Sequence, residues 1–425
     1  MILLYRVLTT FIYPLLFIYI FIKKLKKKED PIRFKEKILT SHFNVIKKKT
    51  KLIWFHASSV GEFKSILPII EELNINNNYE FLISTTTYSS STLAQQELKK
   101  FNNVYHRFFP FDVGFLIDKF LLFWKPDVIF LVDSEIWPNL ILKANKLKIP
   151  LILINARITS KSFKKWMMFP STAKNIFNLF DLCLASNLET KIFLEKLNAK
   201  NIYLNGNIKF TNKLDKKNIK NLNYKILTKN RFWLAASTHE GEEVLCIKSH
   251  LKLKDKYKKI ITIIAPRHIE RVHKIAELCK RYDLDFQILN KNEVFSEEKE
   301  IIIINSFGVL QEYFKFARSV FIGKSTLKKL ENEGGQNPID AAKLGCKIYH
   351  GPYVYNFKEI YELLKQKNIS KEIKDYNDLS KYLIEDLNKT HNKDKETLYS
   401  IDDLGQKILN DTMNILNNIL HNEIK

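Results

Sequence analysis

Short apolar runs alternate along the chain with longer stretches whose apolar residues recur every three or four positions. In the first half, the runs that predict buried strands are residues 52–55, 80–84, 128–132, 150–154 and 182–185. The stretches between them with the spacing of helices include residues 63–73, 91–98 and 139–146. This alternation predicts βαβ units, in which helices cover both faces of a parallel sheet.

The alternation begins again after a polar, Lys- and Asn-rich stretch at about residues 211–230, which predicts an interdomain linker. The later strand candidates are residues 232–236, 260–265, 286–289, 301–304, 319–323 and 347–350. A chain of 425 residues also exceeds the usual size of one core. We therefore expect two doubly wound, Rossmann-like α/β domains facing a cleft, residues 29–210 and 231–425. A closing helix at about residues 401–419 should belong to the second domain.

The first 28 residues differ from the predicted domains. Residues 1–22 contain one ionised side chain, Arg6, and five lysines follow between positions 23 and 28. The uncharged run 7–22 is slightly shorter than the ~20 residues that cross a bilayer, but Arg6 can reach the headgroups. A cleaved signal peptide has its charge before the apolar run instead. We interpret residues 1–28 as a membrane anchor that leaves the rest of the chain cytoplasmic, and its helix either spans the membrane or lies in the interface.

Charge and cysteine content narrow the class of protein. The net charge of +23 indicates an anionic partner, which is nucleic acid, anionic lipid or a phosphorylated substrate, although lysine is abundant throughout. Dispersed lysines and the lack of an aromatic and basic RNA-binding motif argue against nucleic acid. The four cysteines form no CxxC pair, which fits a reducing compartment. Because no HExxH, DxD, EF-hand or Walker A motif occurs, we expect neither a metal nor a cofactor.

Acidic side chains follow two strand candidates of the first half. Glu62 comes shortly after the first strand, at the start of a helix, where a carboxylate can take a proton from a sugar hydroxyl. The same position also suits a carboxylate that only favours the helix dipole. Asp133 and Glu135 follow the third strand beside Trp137, and this set suits either sugar hydroxyls or an electrostatic role. His56 is interpreted as a buried histidine rather than a catalyst.

Three motifs follow strand candidates of the second half, at residues 237–242, 265–268 and 334–340. Arg267 is suitably placed to bind a phosphate or carboxylate. Gly-Gly before a helix can form an anion site, and Asp340 can accept from ribose hydroxyls, although such glycine pairs also serve ordinary turns. Together the three motifs favour a binding site in this half.

In this order, the motifs resemble those of the 3-deoxy-D-manno-octulosonic acid (Kdo) transferases. The resemblance rests on residues 33–37, 59–62, 134–139, 155–157, 206–210, 237–242, 266–268, 334–340, 350–352 and 356–357. It covers nearly the whole chain. It implies a GT-B glycosyltransferase at the cytoplasmic side of the bacterial inner membrane. Its donor would be CMP-Kdo and its acceptor the lipid A precursor, with inversion at the sugar and without a metal or cofactor.

The resemblance also implies roles for single residues. Glu62 matches the catalytic base, and Asp133 and Lys209 match groups that stabilise the transition state. The CMP-Kdo-binding segments match Pro266, Arg267, Phe307, Gly308, Val309, Asn337, Pro338, Ile339 and Asp340. The acceptor would bind the amino-terminal domain and the donor the carboxyl-terminal one.

This chain departs from the family pattern at several positions. Asp133 and Asp340 replace a common glutamate, Gln336 a histidine, Val309 an acid and Lys324 a glycine. Most of these changes fall on donor-binding segments, and Glu62 is unaffected. Two alternatives are another GT-B lipid-linked glycosyltransferase, which would use a UDP-sugar, and a membrane-tethered nucleic-acid-binding protein.

Overall fold

A computed structural model describes residues 1–42, 50–75, 78–212, 214, 216, 219–331, 333–388 and 395–423. The chain divides into two compact units. The first unit comprises Met1–Asn212 and Leu404–Lys425, and the second comprises Lys213–Asp403. Each unit contains one seven-stranded sheet.

The strands of the first unit are β1 (Lys51–His56), β2 (Tyr79–Thr85), β3 (Val104–Phe108), β4 (Val128–Val132), β5 (Leu151–Ala156), β6 (Leu182–Ala185) and β7 (Ile202–Leu204). They pair in the order β3-β2-β1-β4-β5-β6-β7, and every pairing is parallel. The helices are α1 (Ile2–Leu25), α2 (Val60–Leu73), α3 (Tyr88–Glu97), α4 (Gly114–Trp124), α5 (Pro138–Lys146), α6 (Ser160–Trp166), α7 (Pro170–Phe177) and α8 (Leu188–Lys196). Short 3-10 helices cover Arg33–Lys37, Thr40–His42, Leu98–Lys100 and Ile208–Thr211.

The strands of the second unit are β8 (Phe232–Thr238), β9 (Ile261–Pro266), β10 (Phe286–Leu289), β11 (Ile301–Ile304), β12 (Ser319–Ile322), β13 (Lys347–His350) and β14 (Ser370–Glu372). Their order is β10-β11-β9-β8-β12-β13-β14, again all parallel. The helices are α9 (Tyr224–Lys229), α10 (Glu242–Lys254), α11 (Val272–Arg281), α12 (Leu310–Phe314), α13 (Ile339–Lys343), α14 (Lys358–Gln366) and α15 (Tyr376–Leu387). The last helix is α16 (Lys395–Glu423), and 3-10 helices cover Ile269–Arg271, Lys328–Leu330 and Tyr355–Phe357.

Every strand candidate from the sequence is a strand, with bounds that differ by at most two residues. The sequence did not predict β3, β7 and β14, and all three lie at edges of their sheets. An edge strand has one neighbour only, so it does not require the continuous apolar run that reveals a central strand. β4, in the middle of its sheet, is buried at all five positions.

The predicted domains differ in two places from the two compact units of the structure. Within the expected linker, residues 213, 215, 217 and 218 lie outside the described residues, but Asn223 is buried and its Oδ1 accepts from the Phe295 backbone N–H over 2.9 Å. That part therefore packs on the second unit. The predicted closing helix belongs from residue 404 onward to the first unit. Its Thr412 hydroxyl accepts from the Asn205 amide over 2.6 Å, because the buried side of this part of α16 faces the segment after β7.

The predicted amino-terminal helix is α1, which is exposed over most of its apolar residues. Among the described helices, it alone is long and apolar enough to cross a membrane, by length and composition. Its last turn carries Lys23 and Lys24.

Candidate active site

Glu62 lies in the first turn of α2, directly after β1. The Ser59 hydroxyl caps the helix by accepting from the Glu62 backbone N–H over 3.3 Å. In return the Glu62 carboxylate accepts from the Ser59 hydroxyl and from the Ser58 backbone N–H, each over 2.7 Å. This reciprocal pattern is a variant of the capping box. Local sequence therefore places the carboxylate at the carboxyl edge of the sheet.

The surroundings of Glu62 change its acidity. Burial and the negative charges of Glu135 and Asp133 raise the pKa of Glu62 above its ordinary value. Hydrogen bonds from Ser59 and Ser58 act in the opposite direction and offset the rise only in part. A carboxylate with a raised pKa is a stronger base than a free one, which suits proton removal from a hydroxyl.

Glu135 has the opposite shift. Burial would raise its pKa, but hydrogen bonds from His56, Trp137 and Ser58 bring the pKa of Glu135 below its ordinary value. The Trp137 indole N–H donates to Glu135 Oε2 over 2.8 Å, and His56 Nε2 lies 3.2 Å from the same oxygen. Neighbouring carboxylates whose pKa values are pushed apart are typical of acid–base sites. The lowered pKa of Glu135 favours its charged form, and the raised pKa of Glu62 makes Glu62 the stronger base of the two.

His56 is fully buried, as the sequence indicated, and the structure shows that its partner is Glu135. Its ring stacks on Phe109 at a centroid distance of 4.0 Å, and its Nδ1 lies 3.0 Å from the Ser84 hydroxyl. Both ring nitrogens are therefore engaged in the core, and the residue orients Glu135.

Asp133 and Lys209 form an ion pair. Lys209 Nζ lies 2.6 Å from Asp133 Oδ2, and the Asp133 backbone is left-handed, with φ +63°. Lys209 is held by its own segment, because Asn207 Oδ1 accepts from its backbone N–H over 3.0 Å. Asn155 Oδ1 accepts from the preceding residue, Ile208, over 2.9 Å. The structure thus brings together Glu62, Asp133 and Lys209 in one unit, although 76 positions separate the ion-pair partners.

In the second unit, a fully buried carboxylate joins two loops. Glu242 accepts backbone N–H bonds from Lys324, Ser325 and Thr326 over 2.6, 2.8 and 3.0 Å. It also accepts from the His239 backbone over 2.9 Å and from the Thr326 hydroxyl over 3.0 Å. These bonds link the loop after β8 to the loop after β12. Sequence reasoning quoted the motif but did not select Glu242, because most donors to the carboxylate lie at residues 324 to 326, more than 80 positions away.

The next residue, Glu243, braces the loop that carries Arg267. Its carboxylate accepts from the Thr238 hydroxyl and from Arg271, each over 2.8 Å. The Thr238 carbonyl in turn accepts from the Arg267 backbone N–H over 3.0 Å. Pro266 is buried at the end of β9, and the Arg267 side chain is exposed beside it. The guanidinium is therefore presented to solvent on a fixed backbone.

The other predicted donor-site residues lie in two segments that contact each other. Phe307 is 60% exposed, Gly308 has φ +81°, and buried Val309 directly precedes α12. At the start of α13, Asn337 Oδ1 accepts from the Ile339 backbone over 3.0 Å, and Pro338 precedes the helix. Asp340 Oδ2 accepts from the Gln311 amide of α12 over 2.8 Å, which ties the two segments together.

The glycine pair before α13 is used for close packing. A Cβ on Gly334 would lie 2.1 Å from the Tyr353 carbonyl, and Gly335 has φ +91° and donates to the Lys324 carbonyl. α13 itself has five residues. This geometry favours the turn interpretation of the pair.

Each unit carries polar residues along the carboxyl edge of a parallel, doubly wound sheet. Within the described part of the chain, no group of three or more His, Cys, Asp or Glu side chains is arranged to hold a metal. Two such units define a GT-B-like protein. UDP-N-acetylglucosamine 2-epimerase from Neisseria meningitidis has a similar fold, with a TM-score of 0.56 at 15% identity, over 86% of this chain and all of that one. The predicted fold class is confirmed.

Sequence comparison identifies the family. The model of 3-deoxy-D-manno-octulosonic-acid transferase (kdotransferase) matches residues 33–212. The transferase of Rickettsia bellii is 30% identical over 97% of this chain and 98% of its own. The probable mitochondrial transferase of Arabidopsis thaliana is 31% identical over 86% and 83%. The chain belongs to the Kdo transferase family. It is a glycosyltransferase that acts in lipopolysaccharide biosynthesis, which confirms the predicted enzyme class.

Proposed function

We propose that this protein transfers Kdo from CMP-Kdo to a hydroxyl group of the lipid A precursor lipid IVA, with inversion at the anomeric carbon. The acceptor binds the first unit and the donor the second, on the cytoplasmic side of the bacterial inner membrane, where α1 holds the enzyme. The observation that carries the proposal is Glu62, a half-buried carboxylate of raised pKa in a Kdo transferase.

In this mechanism Glu62 removes the proton of the attacking hydroxyl. The acceptor oxygen then bonds to the anomeric carbon of Kdo as the bond to the phosphate of CMP breaks, so the proton ends on Glu62 and the electron pair on CMP. Glu135 stays ionised and keeps the pKa of Glu62 raised. Lys209, held by Asp133 over 2.6 Å, supplies a fixed positive charge for the negative charge that develops.

The donor contacts proposed for the second unit follow from exposure and hydrogen bonding. Arg267 offers an exposed guanidinium, which binds phosphate or carboxylate in a bidentate manner. Asp340 uses Oδ2 for Gln311, so Oδ1 is the atom proposed to accept from ribose hydroxyls. Phe307 to Val309 and Asn337 to Ile339 supply the remaining proposed contacts through backbone and apolar surface.

Glu62→Gln tests the proposal. Glutamine retains an oxygen for the Ser58 N–H but cannot act as the base, so transfer should fall on the order of 10²–10⁴-fold. The assay incubates CMP-Kdo and lipid IVA with the protein and identifies products by mass spectrometry. Glu71→Gln is the matched control, because Glu71 lies on the same helix in a surface ion pair with Lys100. Near-normal transfer by a folded Glu62→Gln variant would overturn the assignment of the base.

A further inference from the structure

The first half of α1 is tied to the first unit by hydrogen bonds. The Tyr5 hydroxyl donates to Asp112 Oδ2 over 3.0 Å, and the Thr9 hydroxyl accepts from the Asn139 amide over 3.2 Å. Asp112 is buried, and it also accepts from the backbone N–H groups of Asn139 and Leu140, each over 2.9 Å. The same carboxylate therefore fixes the start of α5 and the start of α1.

The second half of α1 packs on the segment that follows it. The Tyr13 hydroxyl donates to the Ile38 carbonyl over 2.7 Å, and the Tyr13 ring meets Phe115 of α4 edge-on at 4.8 Å. Ile20 is the buried residue of α1 and packs with Phe34 and Ile38. Contacts with the body thus recur along one side of the helix from residue 5 to residue 20.

The opposite side of α1 is apolar and exposed. Its residues, which recur every three or four positions, are Leu4, Leu8, Phe11, Leu15, Ile18 and Ile22. With 3.6 residues per turn, this stripe points away from the stripe of Tyr5, Thr9 and Ile20. Phe115 of α4, whose ring meets that of Tyr13, is also exposed, and an exposed apolar stripe of this length indicates an interaction site.

Crossing the bilayer is incompatible with these contacts. The docked stretch from residue 5 to residue 20 covers ~22 Å of helix, which is most of the ~30 Å hydrocarbon thickness. A spanning α1 would carry Asp112 and Asn139, together with the body around them, into the hydrocarbon. Charged and polar groups are strongly disfavoured there.

We propose that α1 is an interfacial helix, so that the enzyme is embedded in one leaflet and does not cross the bilayer. This inference rests on the proposed membrane location of the enzyme. The partner is an anionic lipid surface, because five lysines between positions 23 and 28 follow the apolar stripe directly.

This arrangement sets the candidate base close to the lipid surface. Asp112 follows β3 and Asn139 follows β4, so both lie at the carboxyl edge of the sheet, as does Glu62 after β1. α1 is therefore docked on the edge that carries Glu62. A lipid-linked hydroxyl reaches this edge without leaving the membrane.

Thiol labelling tests the topology in the full-length protein. Arg6→Cys and Thr10→Cys place thiols on the side of α1 between the two stripes, and Lys28→Cys is the cytoplasmic control. The four native cysteines are buried, so the signal reports the introduced thiol. With a membrane-impermeant maleimide, we expect none of the three variants to react in intact spheroplasts and all three to react after lysis. Reaction of Arg6→Cys in intact spheroplasts, or of Thr10→Cys only in detergent, would show a spanning helix.

A second measurement tests the partner. Phe11→Gln should bind vesicles of phosphatidylethanolamine and phosphatidylglycerol several-fold more weakly than the wild type, and Thr10→Gln should bind as the wild type does. Equal binding by both variants, or a wild-type protein that binds no vesicles, would overturn the inference. Transfer to detergent-dispersed acceptor requires no binding to vesicles, so failure of the membrane inference and failure of Glu62 as the base are distinguishable.

Discussion

Glu62 and Glu242 occupy corresponding places in the two units. Each follows the first strand of its sheet and lies in the first turn of the next helix. Glu62 accepts from Ser58 and Ser59, and its neighbours are two further carboxylates. Glu242 accepts five hydrogen bonds and is fully buried. The same residue at the same place in a fold thus serves as a candidate base in one unit and as a structural brace in the other.

The number and origin of the donors explain the difference. The donors to Glu62 come from its own turn, so the contacts of Glu62 do not hold distant segments of the fold together. The donors to Glu242 come mainly from residues 324 to 326, and a carboxylate saturated by N–H groups has no lone pair left for a substrate. Glu62 is therefore the carboxylate available for proton transfer, and Glu242 is the one that holds two loops together.

The largest expected effect is the loss of transfer in Glu62→Gln at little cost in stability. Glutamine also serves in capping boxes. The free energy of unfolding of the Glu62→Gln variant should therefore stay within ~0.5 kcal/mol of the wild-type value. Urea unfolding of the purified variant measures this. A loss of several kcal/mol would mean that Glu62 is a brace like Glu242.

Next in size is Glu242→Gln, whose amide group would face backbone N–H donors. We expect the second unit to lose roughly 3 kcal/mol, because buried donors are left without an acceptor. The urea midpoint of that unit should fall. Glu240→Gln is the matched control, since Glu240 is exposed in the same motif and forms a surface ion pair with Lys274 at 3.4 Å. Equal midpoints for the two variants would contradict the bracing role.

A smaller effect is expected for Ser59→Ala, which removes the cap of α2 and one bond to Glu62. The loss should be ~1 kcal/mol in the free energy of unfolding. The pKa of Glu62 should also rise, because the Ser59 bond now lowers it. Ser89→Ala, at an exposed position on α3, controls for the substitution itself. An unchanged unfolding midpoint would argue against the cap.

The smallest effect concerns pH. A carboxylate acts as a base only when it is ionised, so with Glu62 as the proposed base transfer should fall as the pH falls through its raised pKa. Glu135→Gln removes a nearby negative charge, which should move this acid limb to lower pH. The pH dependence of kcat/KM for the variant and the wild type measures the shift. An acid limb at the same pH in both proteins would show that the charge of Glu135 does not raise the pKa of Glu62.

Sequence reasoning recovered every strand inside the two sheets and the edge strand β10, and it missed the other three edge strands, β3, β7 and β14. Val128–Val132 is apolar throughout because it is covered on both faces, and such a run is visible in the chain itself. Val104–Phe108 contains His106 and Arg107, which find partners in distant segments such as Arg33 and Glu36. No local pattern reveals that kind of strand.

The candidate site likewise has features that the sequence predicts and features that only the fold determines. The Ser59 and Glu62 spacing alone predicts a capped helix start with a carboxylate. It does not predict that Glu135 and Asp133 raise the pKa of Glu62, because that depends on β1 and β4 being neighbours in the sheet. Asp133 and Lys209 likewise meet only after the chain has folded.

For the amino-terminal helix, too, the sequence determines some properties and the tertiary structure determines others. Length, apolar content and the lysines after it determine from sequence alone that α1 is suited to a membrane. Tyr5, Thr9 and Tyr13 look unremarkable in such a helix, and only the tertiary structure gives them Asp112, Asn139 and the Ile38 carbonyl as partners. Local periodicity determines which elements form and which face is apolar. The packing of distant segments decides which polar groups meet, because hydrogen bonds and charge interactions act over a few ångströms of space, whatever the separation along the chain.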